Sequence, residues 1–219
     1  MMFEYHGIKI KWHGHDTFTL EKEITICIDP FKISKTIQPD LVLISHNHFD
    51  HLSLEDLKKI STKNTTIVAA NECVPQISKI SLKEKIGIAP GEEKIINNIK
   101  IKAVSAYNID KINPDTKMPF HPKEDKKVGY IITIQGTSIY HTGDSDLIPE
   151  MTDLKPDVLL VPVSGTYVMT PKEAANAVEK IKPKIAIPMH YGTIVGSEKD
   201  AKEFKNLVKS CKVQILTKE

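Results

Sequence analysis

Residues 41–51 read Leu-Val-Leu-Ile-Ser-His-Asn-His-Phe-Asp-His, a short apolar run that ends in a group of metal-ligand side chains. The run Leu41–Ile44 predicts a buried strand, because it is brief, made of branched apolar residues and preceded by Pro39-Asp40. The ligand-type residues that follow it are His46, His48, Asp50 and His51. In an extended or turning segment residues two apart project the same way, so the two leading histidines suit one metal ion. The last two residues suit a second.

The side chains of this motif restrict the choice of metal. Neutral imidazole binds zinc, iron and related first-row metals, and a carboxylate extends the choice toward manganese. We therefore expect one or two divalent transition-metal ions, Zn²⁺ before Mn²⁺ or Fe²⁺. So many ligand residues in so short a stretch also favour a metal site over a chance cluster of surface histidines.

Composition sets the broad class of the protein. The chain has 219 residues, 40% of them hydrophobic and 26% charged, with a net charge of +2. It is long enough for a sizeable core, and we find no linker, so a single domain over residues 1–219 is expected. The small net charge and mixed Lys and Glu argue against a nucleic-acid partner. No apolar run approaches the length of a membrane span, and no membrane partner is expected.

Three cysteines, at widely separated positions and with no CxxC spacing, predict unpaired thiols. The N-terminal residues show no signal-peptide pattern. Together these features predict a cytoplasmic protein. A small-molecule substrate is the expected partner, and the sequence leaves homo-oligomer formation open.

Periodicity and capping residues predict strands alternating with helices in two similar halves, roughly 1–100 and 101–219. Helices are expected after Ser53, over 76–80, after Thr170 and after Ser197. The predicted strands include 8–12, 17–20, 24–28, 67–70, 93–96, 99–104, 128–134, 138–141, 157–163, 184–189 and 213–216. The least regular segment is 107–127, whose length and composition favour a functional loop.

The motif His46-x-His48-x-Asp50-His51 resembles the signature of the metallo-β-lactamase superfamily. Gly14-His15 is similar to the Gly-His-Ser or Gly-His-Ala of many members, and Ile28-Asp29-Pro30 and Pro188-Met189-His190 strengthen the likeness. The resemblance implies an α/β fold of the αββα type, with two mixed sheets packed face to face and helices on the outer faces. Within the superfamily, these features look closest to the branch that contains the ascorbate-6-phosphate lactonase.

The same resemblance extends the expected metal site to the second half of the chain. Asp144, in Thr-Gly-Asp-Ser-Asp, resembles the aspartate that bridges two metals, and His190 resembles the last histidine ligand of the second metal. The family usually supplies a third histidine near residue 105, but this chain reads Val104-Ser-Ala-Tyr-Asn108 there. Three outcomes are open. His121 becomes the ligand; Asn108 or a water takes the place; or the first metal binds weakly.

Four other residues are candidates for contacts with metal or substrate: His15, Tyr107, Tyr167 and Tyr191. The expected activity is hydrolysis of an ester, lactone or phosphodiester bond in a small anionic substrate by metal-activated water, with Asp50 orienting the nucleophile. The lysines of the loop 107–127 favour an anionic substrate, because their positive charge attracts it over a long range. Two alternatives stay open: a phosphodiesterase or nuclease acting on nucleic acid, and a non-catalytic metal-binding protein of the same fold.

Overall fold

The computed structural model describes residues 2–33 and 37–219. The chain forms two compact units: Met1–Ile88 with Leu216–Glu219, and Ala89–Ile215. Each unit contains one seven-stranded mixed sheet, which confirms the predicted α/β class with two mixed sheets. The first unit ends at Ile88, some residues before the predicted division near residue 100. The strand at 84–88 is the last one that joins the first sheet.

The first unit is built on strands that lie in the sheet in chain order: β1 (Phe3–Tyr5), β2 (Ile8–Gly14), β3 (Thr17–Glu21), β4 (Thr25–Ile28), β5 (Leu41–Ile44), β6 (Thr66–Ala70) and β7 (Glu84–Ile88). The first four form an antiparallel meander, and β4 to β7 run parallel. Helix α1 (Leu54–Ile60) begins at the predicted cap, where the Ser53 hydroxyl accepts from the Asp56 N–H.

The second unit repeats this connectivity. Its strands are β8 (Glu93–Ile96), β9 (Ile99–Ser105), β10 (Val128–Ile134), β11 (Thr137–His141), β12 (Val158–Pro162), β13 (Ile185–Met189) and β14 (Lys212–Val213). Strands β8 to β11 are antiparallel and β11 to β14 parallel. Helices α2 (Pro171–Ile181) and α3 (Glu198–Leu207) both begin with complete capping boxes, at Thr170 and Ser197.

The parallel strands position the polar residues that matter. Strand β5 is buried along its whole length between β4 and β6, and Leu43 pairs with Ile28 on one side and Val68 on the other. Since parallel strands end at the same edge of a sheet, residues just after β4 and β5 become neighbours. The same reasoning applies in the second unit to the ends of β11, β12 and β13.

Two predictions about elements are wrong, and two strands were missed. No helix forms over 76–80. A short 3-10 turn at Asn71–Cys73 is followed by further turns, in which the Ser78 N–H donates to the Pro75 carbonyl and the Ile80 N–H to the Ile77 carbonyl, three residues back rather than four. Strands β1 and β7 were not predicted, since both are short and partly exposed. The closing strand is only Lys212–Val213 rather than 213–216.

None of the three helices in the described ranges has the length and apolar content needed to cross a membrane. The three cysteines, all within those ranges, form no disulfide, as predicted.

Candidate metal centre

The histidine motif begins two residues after β5 and turns sharply. The carbonyl of His48 accepts hydrogen bonds from the N–H groups of His51, at 3.0 Å, and Leu52, at 2.8 Å. This turn brings the rings of His46 and His48 together, with centroids 4.6 Å apart, and those of His46 and His51 to 4.0 Å. His46 and His51 are buried, while His48 and Asp50 are partly exposed. The structure therefore gathers all four motif residues in the first unit.

Asp29, at the end of β4, fixes the protonation of two of these imidazoles. Its Oδ1 accepts from the Ser45 N–H at 2.7 Å, and its Oδ2 accepts from the Ser45 hydroxyl at 2.6 Å and His51 Nδ1 at 2.9 Å. A carboxylate only accepts, so His51 carries its proton on Nδ1. Ser45 spends its single proton on Asp29, so its Oγ accepts from His46 Nδ1 at 2.9 Å. In both rings Nε2 is therefore the lone-pair nitrogen.

His15 has the opposite arrangement. It lies in the turn between β2 and β3 with φ at 52°, and its Nε2 is 2.9 Å from Asp50 Oδ2. Because the carboxylate accepts, Nε2 of His15 carries the proton. His15 therefore orients Asp50 through a hydrogen bond, a contact compatible with its predicted place in the site.

The second unit places His121, Asp144 and His190 together. Asp144 follows β11, His190 follows β13, and His121 lies on the loop between β9 and β10. Asp144 Oδ2 is 3.3 Å from His121 Nε2 and 3.3 Å from His190 Nε2. All three residues are at most 3% exposed. Thus the predicted ligand His190 and the loop histidine His121 both lie beside the same oxygen of Asp144, which is also a predicted ligand.

The protonation of these histidines also follows from their partners. The Ser164 hydroxyl donates to the Thr166 carbonyl at 3.3 Å, and its Oγ lies 2.9 Å from His190 Nδ1, which therefore donates to it. Asn108 is oriented by its Nδ2 donating to the Tyr167 carbonyl at 3.0 Å. Its Oδ1 then accepts from His121 Nδ1 and from the His121 N–H, both at 2.9 Å. Both lone pairs of that oxygen are engaged, so Asn108 supports His121.

The donor set fits a transition metal. An oxygen atom accepts a hydrogen bond from Nδ1 in four histidines: His46, His51, His121 and His190. Nε2 is therefore the nitrogen of each ring that carries the lone pair a metal ion needs. Metal-binding histidines are held by such partners in most proteins. Two ligands at about 2.0–2.2 Å from a tetrahedral ion lie about 3.3–3.6 Å apart. The 3.3 Å distances around Asp144 match this separation and exceed that of an ordinary hydrogen bond.

The three candidate tyrosines differ in surroundings. The Tyr107 hydroxyl donates to Glu150 at 3.0 Å and accepts from Lys123 at 3.2 Å. Tyr191 is buried, which, together with the nearby Glu198 charge, raises its pKa to about 12. Tyr167 is 37% exposed and has φ at 70°, and its ring lies edge-to-face with that of Phe120, with centroids 4.7 Å apart. Of the three, Tyr167 alone presents substantial surface to solvent.

The residues that sequence reasoning missed are the supporting ones. Asp29, Ser45 and Ser164 hold three of the imidazoles, and Asp16 lies beside His15 and His51 in the first unit. Asp29 could have been found from Ile-Asp-Pro at a strand end. The two serines carry no signal in the sequence, because their role depends on which strand ends adjoin.

Comparison with known proteins decides the family. A sequence profile described as "Beta-lactamase superfamily domain" matches residues 9–190. The chain belongs to the β-lactamase superfamily. Within this superfamily, a UPF0173 metal-dependent hydrolase from Archaeoglobus fulgidus is 31% identical over 218 residues, covering 93% of this chain and 91% of that protein. One from Thermoplasma acidophilum is 36% identical, covering 92% and 91%.

Solved structures of the superfamily agree. A protein of known crystal structure from Parabacteroides distasonis is 29% identical to this chain and has a TM-score of 0.81. The match covers 99% of this chain and 98% of that protein. Igni18, a metallo hydrolase from Ignicoccus hospitalis, has a TM-score of 0.77 at 26% identity, with 95% and 94% covered. The predicted metallo-β-lactamase fold and the metal-dependent hydrolase class are thereby confirmed.

Proposed function

We propose that this superfamily member hydrolyses an ester, lactone or phosphodiester bond in a small anionic molecule, with one or two ions bound by His46, His48, Asp50, His51, Asp144 and His190. The observation that carries the proposal is the shared protonation of four buried histidines, each with Nδ1 held by an oxygen. Zn²⁺ suits this nitrogen-rich set best, and Mn²⁺ or Fe²⁺ would use the carboxylates. When bound, such an ion lowers the pKa of a coordinated water toward neutrality.

We propose that His121 supplies the third histidine that the family usually carries near residue 105. Its Nε2 is 3.3 Å from Asp144 Oδ2, the separation of two ligands of one ion. Asn108 supports this role by orienting the His121 ring. Asp50 would orient the attacking water, and His15 holds Asp50 in position through the 2.9 Å hydrogen bond.

The substrate assignment draws on the loop 107–127, whose base adjoins Asp144. Its first residues are held there, since the Tyr107 N–H donates to Ser145 at 3.1 Å and the Asp146 N–H donates to the Tyr107 carbonyl at 3.0 Å. Such a loop can order around substrate. Lys111 forms ion pairs with Asp110 and Glu173. Since Lys123 and Lys127 also pair with carboxylates, we assign much of the attraction for an anion to the bound ions.

Apolar surface near the candidate ligands adds a second property of the substrate. Phe49 is 68% exposed between His48 and Asp50, and its ring lies edge-to-face with that of Phe31, with centroids 5.8 Å apart. On the loop, Ile109 and Met118 are 57% and 55% exposed. We therefore expect the anionic molecule to carry an apolar portion. We place the protein in the cytoplasm, because its three cysteines form no disulfide.

Metal analysis of the purified protein, with an activity screen over lactones, thioesters and phosphodiesters including nucleic acids, tests this proposal. Asp50→Ala should abolish hydrolysis while the far-UV circular dichroism stays that of the wild type, since it removes a ligand and a water-orienting group. Unchanged turnover would show that the metal is only structural. Cleavage of nucleic acid alone would favour the nuclease alternative.

His121→Ala separates ligation from substrate contact. Loss of one metal equivalent is the expected result. Retained metal with lower turnover would make His121 a substrate contact instead. Wild-type metal content together with wild-type turnover would show that His121 is not part of the site.

A further inference from the structure

Asp16 is a carboxylate buried completely in the first unit. It follows His15 in the turn before β3, and the ligand atoms of His15, Asp16 and His51 all lie within 4.8 Å of one another. Burying an ionised carboxylate is costly unless positive charge or hydrogen bonds compensate it. A cation bound beside Asp16 would supply positive charge of this kind.

The protonation of His51 indicates where such a cation would lie. Its Nδ1–H donates to Asp29, so Nε2 presents a lone pair, and this nitrogen is 3.6 Å from Asp16 Oδ2. A lone pair and a carboxylate oxygen repel each other unless a cation lies between them. The distance is too long for a shared proton, since N–H···O bonds end near about 3.2 Å. It fits two ligands of one tetrahedral ion, which are about 3.3–3.6 Å apart.

The same Nε2 is farther from Asp50, the carboxylate that is expected to bind the same ion as His51. His51 Nε2 to Asp50 Oδ2 measures 4.0 Å, and that Asp50 oxygen already accepts from His15. His15 Nε2 is 3.5 Å from Asp16 Oδ2 but donates its proton to Asp50 at the shorter distance of 2.9 Å. Asp16 therefore lies closer than Asp50 to the lone pair of His51.

We propose that Asp16 is an additional carboxylate ligand of the ion that His51 binds. This inference rests on the proposed metal site and deepens it. A further hard, anionic oxygen ligand strengthens binding of Mn²⁺ and Fe²⁺ relative to Zn²⁺. Asp16 therefore acts on metal selectivity as well as affinity.

The test is metal binding by chelator-stripped full-length protein. Free Mn²⁺ is followed by electron paramagnetic resonance, and Zn²⁺ by competition with a chromophoric chelator. Asp16→Asn keeps the shape of the side chain and removes its charge. It should weaken one metal equivalent at least about 10–100-fold, the range known for residues that merely support a ligand. The loss should be larger for Mn²⁺ than for Zn²⁺.

Asp56→Asn is the matched control. Asp56 is a buried carboxylate of the same unit, but it accepts hydrogen bonds from the Lys32 N–H at 2.8 Å and the Ile33 N–H at 3.2 Å. Its neutralisation should lower thermal stability and leave both metal affinities unchanged. Wild-type affinity and an unaltered Mn²⁺ to Zn²⁺ ratio in both Asp16→Asn and Asp16→Ser would overturn the proposal.

A measurement on unmutated protein covers the case in which the variants do not fold. In crystals of the wild type loaded with Mn²⁺, anomalous scattering should place the ion at about 2.0–2.2 Å from an Asp16 oxygen. A separation above about 3 Å would refute ligation by Asp16 while leaving the proposed function standing. Absence of any bound ion in the wild type, by contrast, would contradict the proposed function itself.

Discussion

Replacing Asp29 by Asn should destabilise the protein and weaken its metal binding together. The carboxylate accepts three hydrogen bonds: from the Ser45 N–H at 2.7 Å, the Ser45 hydroxyl at 2.6 Å and His51 Nδ1 at 2.9 Å. An amide has one accepting end. The asparagine must therefore turn its NH₂ group toward at least one of these donors.

The structure gives the size of this effect. The least costly orientation keeps the amide oxygen toward the Ser45 hydroxyl and His51, and faces NH₂ to the Ser45 N–H. One buried donor then loses its acceptor, which costs about 1–3 kcal/mol, and the two remaining bonds lose their charge assistance. We expect a loss of about 3 kcal/mol in the free energy of unfolding, or about 6–12 °C in Tm for a chain of this size. Loosening of His51 should also weaken metal binding about 10–100-fold.

Thermal unfolding of chelator-stripped protein, followed by circular dichroism, isolates the first effect, and a Zn²⁺ competition titration measures the second. Asp40→Asn serves as the control. Asp40 is exposed and its carboxylate accepts from the Thr25 N–H at 2.9 Å, so its Tm should change by only about 2–4 °C for a loss near 1 kcal/mol. An Asp29→Asn protein with wild-type Tm and wild-type Zn²⁺ affinity would refute the assignment of protons in this network.

Two further predictions concern stability and redox state. Burial alone would raise the pKa of Glu173, but hydrogen bonds from the Thr170 N–H and from Lys111 lower it below its ordinary value of 4.5. The stabilisation by Glu173 is therefore complete above pH 4.5 and disappears as the pH falls through the lowered pKa. The difference in unfolding free energy between wild type and Glu173→Gln should shrink correspondingly in acid denaturation curves, and a pH-independent difference would count against it. Thiol titration of denatured, non-reduced protein should find three thiols per chain, as the absence of disulfides requires. A single thiol in that titration would contradict the proposed compartment. In native protein Cys27 should react slowly, because burial and the nearby Asp29 charge raise its pKa.

Much of the local structure was readable from residue order. The apolar run Leu41–Ile44 and the capping residues Thr170 and Ser197 act over a few residues, and the strand and both helices form as predicted. Where local signals were weak the predictions failed. Over 76–80 a helix was expected, but the Ser78 and Ile80 N–H groups donate to carbonyls three residues back and form turns instead.

The candidate ligands divide in the same way. The sequence singles out His46, His48, Asp50 and His51 as candidates because four ligand-type side chains lie within six residues. Their protonation was not readable, because Asp29 meets Ser45 and His51 only when β4 and β5 lie parallel. Likewise His121 and Asn108 are 13 residues apart and share no periodic relation. Their contact depends on the path of the loop 107–127.

The sequence by itself determined the family, the α/β class and the ligand types, since these depend on residue identity and short spacing. Tertiary structure alone decided which ring nitrogen of each histidine carries the proton and which buried carboxylates lie close to the other nitrogen. Those properties arise from hydrogen bonds between strand ends that are distant along the chain, and a one-dimensional pattern does not record which ends become neighbours.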